Sequence, residues 1–242
     1  MRAIDAMLAA AFLALAPSAG ASAGTVDEAH AAFRRGDFVT GTDILRPLAE
    51  QGDLRAQADF ISLYLGGNAA PSDYPQVAIW CQREADRGSK AGEACIGFMY
   101  VNAQGVPRDT VRGIAWFQKA AEQGDERAQT ALGSVYEFGR GVPIDLAKAA
   151  VWYKMAAEQG NPWGMYNLGV MCTEGNAVTH DYIQGYMWYS LAISNFPPNV
   201  PRVPEVAAQL RARAAAQMTQ ADVAEATRRI DDWQASHRPS VH

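Results

Sequence analysis

The residues best suited to bond-making chemistry in this 242-residue chain are three cysteines, four histidines and a few neighbouring carboxylates. Cys81, Cys95 and Cys172 could form a disulfide, act as nucleophiles or hold zinc. Zinc asks for closely spaced ligands, commonly Cys-x-x-Cys or paired histidines. Neither is present, and His30, His180, His237 and His242 are dispersed. There is no His-Glu-x-x-His, Gly-x-Ser-x-Gly or Ser-x-x-Lys and no glycine-rich phosphate loop. Asp231-Asp232 and the Glu137/Asp145 neighbourhood read as surface and helix-cap charges. The expectation is a non-enzyme with no catalytic residues, no metal and no cofactor. The cysteines then leave two states open: a bridge between Cys81 and Cys95, or three free thiols, with Cys172 a small buried one in either case.

The elements that must position these residues announce themselves by repetition. Trp80, Trp116, Trp152 and Trp188 stand 36 residues apart, with Ile44 one step earlier. Asp37, Asp73, Asp109, Asp145 and Asp181 keep the same interval, and so do Gly52, Gly88, Gly124 and Gly160. Each class has a structural task. Asp145 can accept from the unpaired N–H groups of a first helical turn. Leu146, Ala149, Ala150, Trp152, Tyr153 and Ala156 then follow the spacing of an amphipathic helix. Gly160 suits the left-handed position that ends it, and Asn161 caps the next helix with Pro162 at its first position. Asp53, Ser89 and Asp125 serve as the equivalent caps.

The second helix of each unit carries Ile96-Gly97 and Tyr100, Leu132-Gly133 and Tyr136, or Leu168-Gly169 and Cys172. A mid-helix glycine costs about 1 kcal/mol against alanine, tolerable where a neighbouring helix must come close. Gly105-Val106-Pro107 and Gly141-Val142-Pro143 stop these helices. The spacing predicts helices over 26–35, 38–51, 54–65, 74–87, 90–102, 110–123, 126–138, 146–159, 162–174 and 182–195. In a hairpin turning near residue 89, position 81 faces position 97, so Cys95 is two residues out of register for a bridge. The repeated Trp, Tyr, Leu and Ala positions are expected to be packing residues.

The ends differ from the repeats. Arg35-Gly36-Asp37 is a tight turn, giving an N-terminal capping helix pair over 24–53, with repeats over 54–196. Asn195-Phe196-Pro197-Pro198 ends the last tryptophan helix. Glu205–Gln217 and Gln220–Ala235 make closing helices within a 197–235 capping segment, before a disordered tail over 236–242.

Composition bounds the partners. Hydrophobic residues are 49%, charged residues 19% and the net charge is −5. No clustered Lys/Arg accompanies a basic total, so no nucleic-acid partner is expected. Residues 1–23 read as a secretory signal: Arg2, an apolar Met7–Ala16 run and the Ala21-Ser22-Ala23 cleavage pattern, with Asp5 atypical. The apolar run is short for a bilayer and has no successor. The mature chain is therefore expected in the periplasm or cell envelope, not spanning the membrane after cleavage near Ala23.

The segment ALGSVYEFGRGVPIDLAKAAVWYKMAAEQGN (131–161) and its partners one period away resemble the Sel-1-like repeat family, relatives of tetratricopeptide repeats. The resemblance covers residues 54–194 well and 27–53 loosely. YMWYSLAI (186–193) and QMTQADVAEATRRIDDW (217–233) look like the closing segment of bacterial members. The resemblance implies an all-α fold, a right-handed α/α superhelix of 36-residue helix-pair repeats with a closing C-terminal helix pair. It also implies an adaptor that binds an unidentified protein or peptide in a concave groove. Departures are Cys172 for Tyr, Val178-Thr179-His180 for the Gly-Val-Pro loop, and Asn68 to Pro71 keeping only its proline.

If the groove follows the tetratricopeptide pattern, its exposed positions are Phe98 and Asn102, then Arg127, Thr130, Ser134 and Glu137, then Trp163, Tyr166 and Val170. Trp163 and Tyr166 share one helix face. Phe98, Trp163 and Tyr166 are bulky groups at positions the repeat does not require, which is what a peptide-binding surface offers; Trp163 packing beneath a neighbouring helix is the competing outcome. Two other functions stay in view: a periplasmic regulator of a membrane signalling protein, and a cell-wall hydrolase.

Overall fold

A computed structural model describes residues 24–197, 200 and 202–237. The expected signal segment, 1–23, lies outside the described residues. Among them are twelve helices and no strand. The chain divides between Ala56 and Gln57 into two compact units. The expected capping pair, 24–53, falls within the first.

In the first unit, α1 (Val26–Arg34) and α2 (Phe38–Glu50) form a hairpin. Thr25 and Glu28 make a reciprocal capping box at the start of α1, and Asp37 Oδ1 accepts from Thr40 N at 3.1 Å at the start of α2. Gly41 lies under the Phe33 ring, leaving no room for a side chain.

α3 (Leu54–Leu65) leads into a short 3-10 turn, Pro71–Asp73. Then follow α4 (Tyr74–Asp86), α5 (Lys90–Asn102), α6 (Thr110–Glu122), α7 (Glu126–Phe138), α8 (Leu146–Glu158), α9 (Pro162–Glu174), α10 (Tyr182–Asn195), α11 (Val203–Ala215) and α12 (Gln220–Ser236). From α4 to α11 each helix packs on the next in sequence, so burial is supplied by neighbouring units, as in any repeat array. α11 and α12 both lie against α10. Ser236, expected to open a disordered tail, instead ends α12, and the His237 ring stacks on Trp233 with centroids 3.9 Å apart. Residues 238–242 lie outside the described residues.

The caps set the boundaries. Asp109, Asp145 and Asp181 accept from the N–H three residues on, at 2.9, 3.0 and 3.0 Å. Asp125 and Asn161 do the same for α7 and α9, at 3.0 and 2.9 Å. Asp73 departs: it precedes α4 but makes no side-chain cap bond, because the Pro71–Asp73 turn carries the chain into the helix and Pro75 occupies its first turn. At the other ends, Gly139 and Gly175 take left-handed conformations at φ 65° and 69°, while Ala103 holds the same position at φ 57°. Register places Ala177, φ 58°, where Gly141 stands one unit earlier. An alanine there costs roughly 1–2 kcal/mol that glycine does not.

Two periodic contacts lock successive helices. Gly97, Gly133 and Gly169 each lie under the ring that comes 20 residues later: Phe117, Tyr153 and Tyr189. A Cβ would meet the Phe117 ring at 2.7 Å and the Tyr189 ring at 2.9 Å, and the Tyr153 ring more closely still. All three rings are fully buried. The second contact is a ladder of side chains 30 residues apart. Gln123 Nε2 donates to Glu93 Oε2 at 2.7 Å, and Gln159 Nε2 to Gln129 Oε1 at 2.7 Å. Asn195 Nδ2 reaches Met165 Sδ at 3.9 Å in the next unit.

Glu93 is the charged member of this ladder and is only 4% exposed. Burial raises its pKa above the ordinary carboxylate value, against the lowering effect of the Gln123 bond. A group whose folded pKa is raised contributes stability below its unfolded pKa, about 4.3, and loses it as pH rises through the folded value. At Gln129 an amide fills the equivalent site and its Nε2 also donates to Ala121 O at 3.2 Å. Glu93→Gln should therefore raise the melting temperature at pH 7 by about 2–4 °C, the scale of 1 kcal/mol in a chain of this size. At pH 4 the gain should shrink. Thermal unfolding of both proteins across pH checks the sign; a Tm at pH 7 below the parent's would contradict it.

Candidate binding cleft

The even-numbered and odd-numbered helices play different parts. In α6, α8 and α10 the aromatic residues 117, 153 and 189 point into the core. The facing helices α5, α7 and α9 keep one edge accessible, and a cleft of ≈ 840 Å³ runs over it. Six of the nine residues expected in the groove line this cleft: Phe98, Asn102, Arg127, Thr130, Ser134 and Trp163. Trp163 is 42% exposed, yet its ring also meets Phe196 edge-on at 5.1 Å. The Phe98 ring meets Phe117 at 4.7 Å in the same geometry. Both aromatics are thus anchored from behind with one edge free.

Glu137, Tyr166 and Val170 do not line the cleft. Tyr153 donates its hydroxyl to Glu137 Oε2 at 2.6 Å, which turns that carboxylate toward α8. Tyr166 packs toward Tyr189, ring centroids 6.2 Å apart, and burial raises its pKa. Val170 sits half-buried farther along α9. Sequence reasoning missed Arg108, Thr110, Arg140 and Asn167, which also line the cleft. Arg108 and Arg140 come from the loops after α5 and α7, and no repeated motif marks them. Asn167 follows Tyr166 directly and could have been found by rotating the assumed helix face.

Polar groups in the cleft are only partly engaged. Thr130 Oγ1 donates to Glu126 O at 2.9 Å and lies 3.2 Å from Asn161 Oδ1. Arg127 places Nη2 3.0 Å from Asp125 Oδ2, and its buried Nε, 3.8 Å from Glu126 Oε1, makes no hydrogen bond among the described residues. Among the described residues Asn102 and Asn167 make no side-chain hydrogen bond, and Arg108 and Arg140 make no ion pair. The Arg140 guanidinium lies 5.3 Å from the centre of the Phe138 ring.

The cysteines lie away from the cleft. Cys81 and Cys95 are joined by a disulfide between α4 and α5, with Cα atoms 5.7 Å apart, inside the usual range. The hairpin register explains it. Gly92 lets α5 close on α4 until a Cβ there would meet Ala85 N at 2.6 Å. That places residue 95 opposite 81, where a turn at residue 89 would have placed 97. Cys172 is free and buried, and burial pushes its thiol up to about 11. No group of three His, Cys, Asp or Glu side chains among the described residues is placed to hold a metal. Among the described residues no helix is long and apolar enough to cross a membrane.

Paired helices stacked in register, joined by left-handed glycine turns and bearing an open cleft, define an α/α repeat protein. A family model described as the Sel1 repeat matches residues 95–125, 126–161 and 164–195. The chain thus carries three Sel1 repeats, a fold that commonly serves as a protein–protein interaction scaffold. A protective antigen from uropathogenic Escherichia coli with an SLR fold is similar in structure, with TM-score 0.66 and 25% identity over 82% of this chain and 41% of that one. The chain therefore spans about two fifths of that structure's length. A Sel1 repeat protein from Oxalobacter formigenes is similar at TM-score 0.58 and 22% identity, over 88% of this chain and 100% of that one, a likeness of fold. No curated protein matches the chain in sequence.

Proposed function

We propose that this chain is a non-enzymatic scaffold of the bacterial periplasm or cell envelope, holding a protein or peptide in the cleft over α5, α7 and α9. The observation that carries the reading is the cleft's composition: two aromatic rings braced from behind, with free amides and guanidinium groups between them. Bulky anchors beside unsatisfied polar groups are what a peptide main chain and its side chains can use. The compartment is supported by the 1–23 sequence pattern and by the Cys81–Cys95 bridge, since structural disulfides persist where thiols oxidise. Phe98→Ala with Trp163→Ala should weaken capture of the native partner by about tenfold or more, because aromatic anchors buried at an interface are commonly worth about 2 kcal/mol or above. Pull-down from the envelope fraction with parent and double variant measures it. Equal capture by both would refute the cleft as the binding surface.

A further inference from the structure

We infer that the cleft's occupant is an acidic, extended peptide segment with at least one bulky apolar side chain, an inference that rests on the cleft being the binding surface. The lining contains three arginines, Arg108, Arg127 and Arg140, and no aspartate or glutamate. This is a cationic strip on a chain of net charge −5, so local charge opposes global charge at one place. Arg127 is compensated by Asp125. Arg108 and Arg140 are not compensated: both are exposed and neither makes an ion pair among the described residues. They are thus the groups that would meet a ligand carboxylate, and guanidinium forks bind carboxylates in two parallel hydrogen bonds.

The rest of the lining fits a peptide. Asn102 on α5 and Asn167 on α9 present amides that can both donate to a main-chain carbonyl and accept from a main-chain N–H. Trp163 offers a free aromatic edge for an apolar side chain. A nucleic acid would need a broader basic surface to offset repulsion from an acidic protein, so a polyanion is the outcome to be excluded.

The test is selection of random displayed peptides on the full chain, followed by fluorescence anisotropy with the synthesised winners. The expected peptides combine Asp or Glu with Leu, Phe or Trp. Their affinity should fall about tenfold for Arg108→Ala/Arg140→Ala, and also when their acids are changed to amides. It should weaken further as salt is raised to about 0.15 M. Circular dichroism confirms that these exposed substitutions leave the helices intact. Neutral or basic winners that depend on Phe98 and Trp163 but ignore the arginines would overturn the acidic assignment and leave the cleft reading standing. Winners indifferent to Phe98→Ala/Trp163→Ala would overturn both. Displacement of the peptide by duplex DNA at equal charge would overturn the peptide assignment in favour of a general polyanion site.

Discussion

Tyr153→Ala should destabilise the protein by about 3–5 kcal/mol, the range for removing a large buried aromatic. Its ring is fully buried, covers Gly133 and carries the hydroxyl that donates to Glu137 at 2.6 Å. Truncation leaves a void and removes that carboxylate's partner. Gly133→Ala should also destabilise, by about 1–3 kcal/mol, because a methyl overlaps a ring that has nowhere to move. Helix propensity pulls the other way by about 1 kcal/mol, so the sign itself is informative. In the double variant the methyl finds the space the ring vacated. Gly133→Ala should then be neutral or stabilising on the Tyr153→Ala background. Urea unfolding of the four proteins gives the coupling; additive losses would show that the glycine does not exist for the ring.

Removing the Cys81–Cys95 bridge should cost about 3 kcal/mol, the chain-entropy value for a loop near this length. The sequence separation is 14, and both residues are fully buried, so Cys81→Ala/Cys95→Ala changes little volume. The loss should concentrate in the α4–α5 hairpin. Reductant should bring the parent down to the variant's stability and leave the variant unmoved. Cys172 stays silent in that comparison, since it is buried and its thiol is raised to about 11. Mass measurement of the unreduced parent with three free thiols would contradict the bridge.

The helices were legible in the sequence almost residue for residue, because capping is local chemistry. Asp109, Asp145 and Asp181 state where α6, α8 and α10 begin, and the glycines at 88, 124 and 160 state where α4, α6 and α8 end. What failed to be legible depends on how closely helices approach. A turn set at residue 89 put Cys95 out of register, because nothing local reveals that Gly92 lets α5 settle on Ala85. Glu137 looked exposed on a helical wheel, yet it belongs to Tyr153 on the next helix. Arg108 and Arg140 reach the cleft from loops, where no periodicity points to a face. Phe98, Asn102, Arg127, Thr130, Ser134 and Trp163, which line the cleft, came from carrying the tetratricopeptide groove pattern onto α5, α7 and α9, and helical spacing then picked the exposed positions.

The central claim is that this face, not the outer one, meets the partner. A photo-crosslinking amino acid placed at Asn102 or Asn167 in the cleft, and at exposed Val151 on α8, tests it in living cells. Adducts from Asn102 and Asn167 but not from Val151 are predicted. Adducts from Val151 alone would contradict the account.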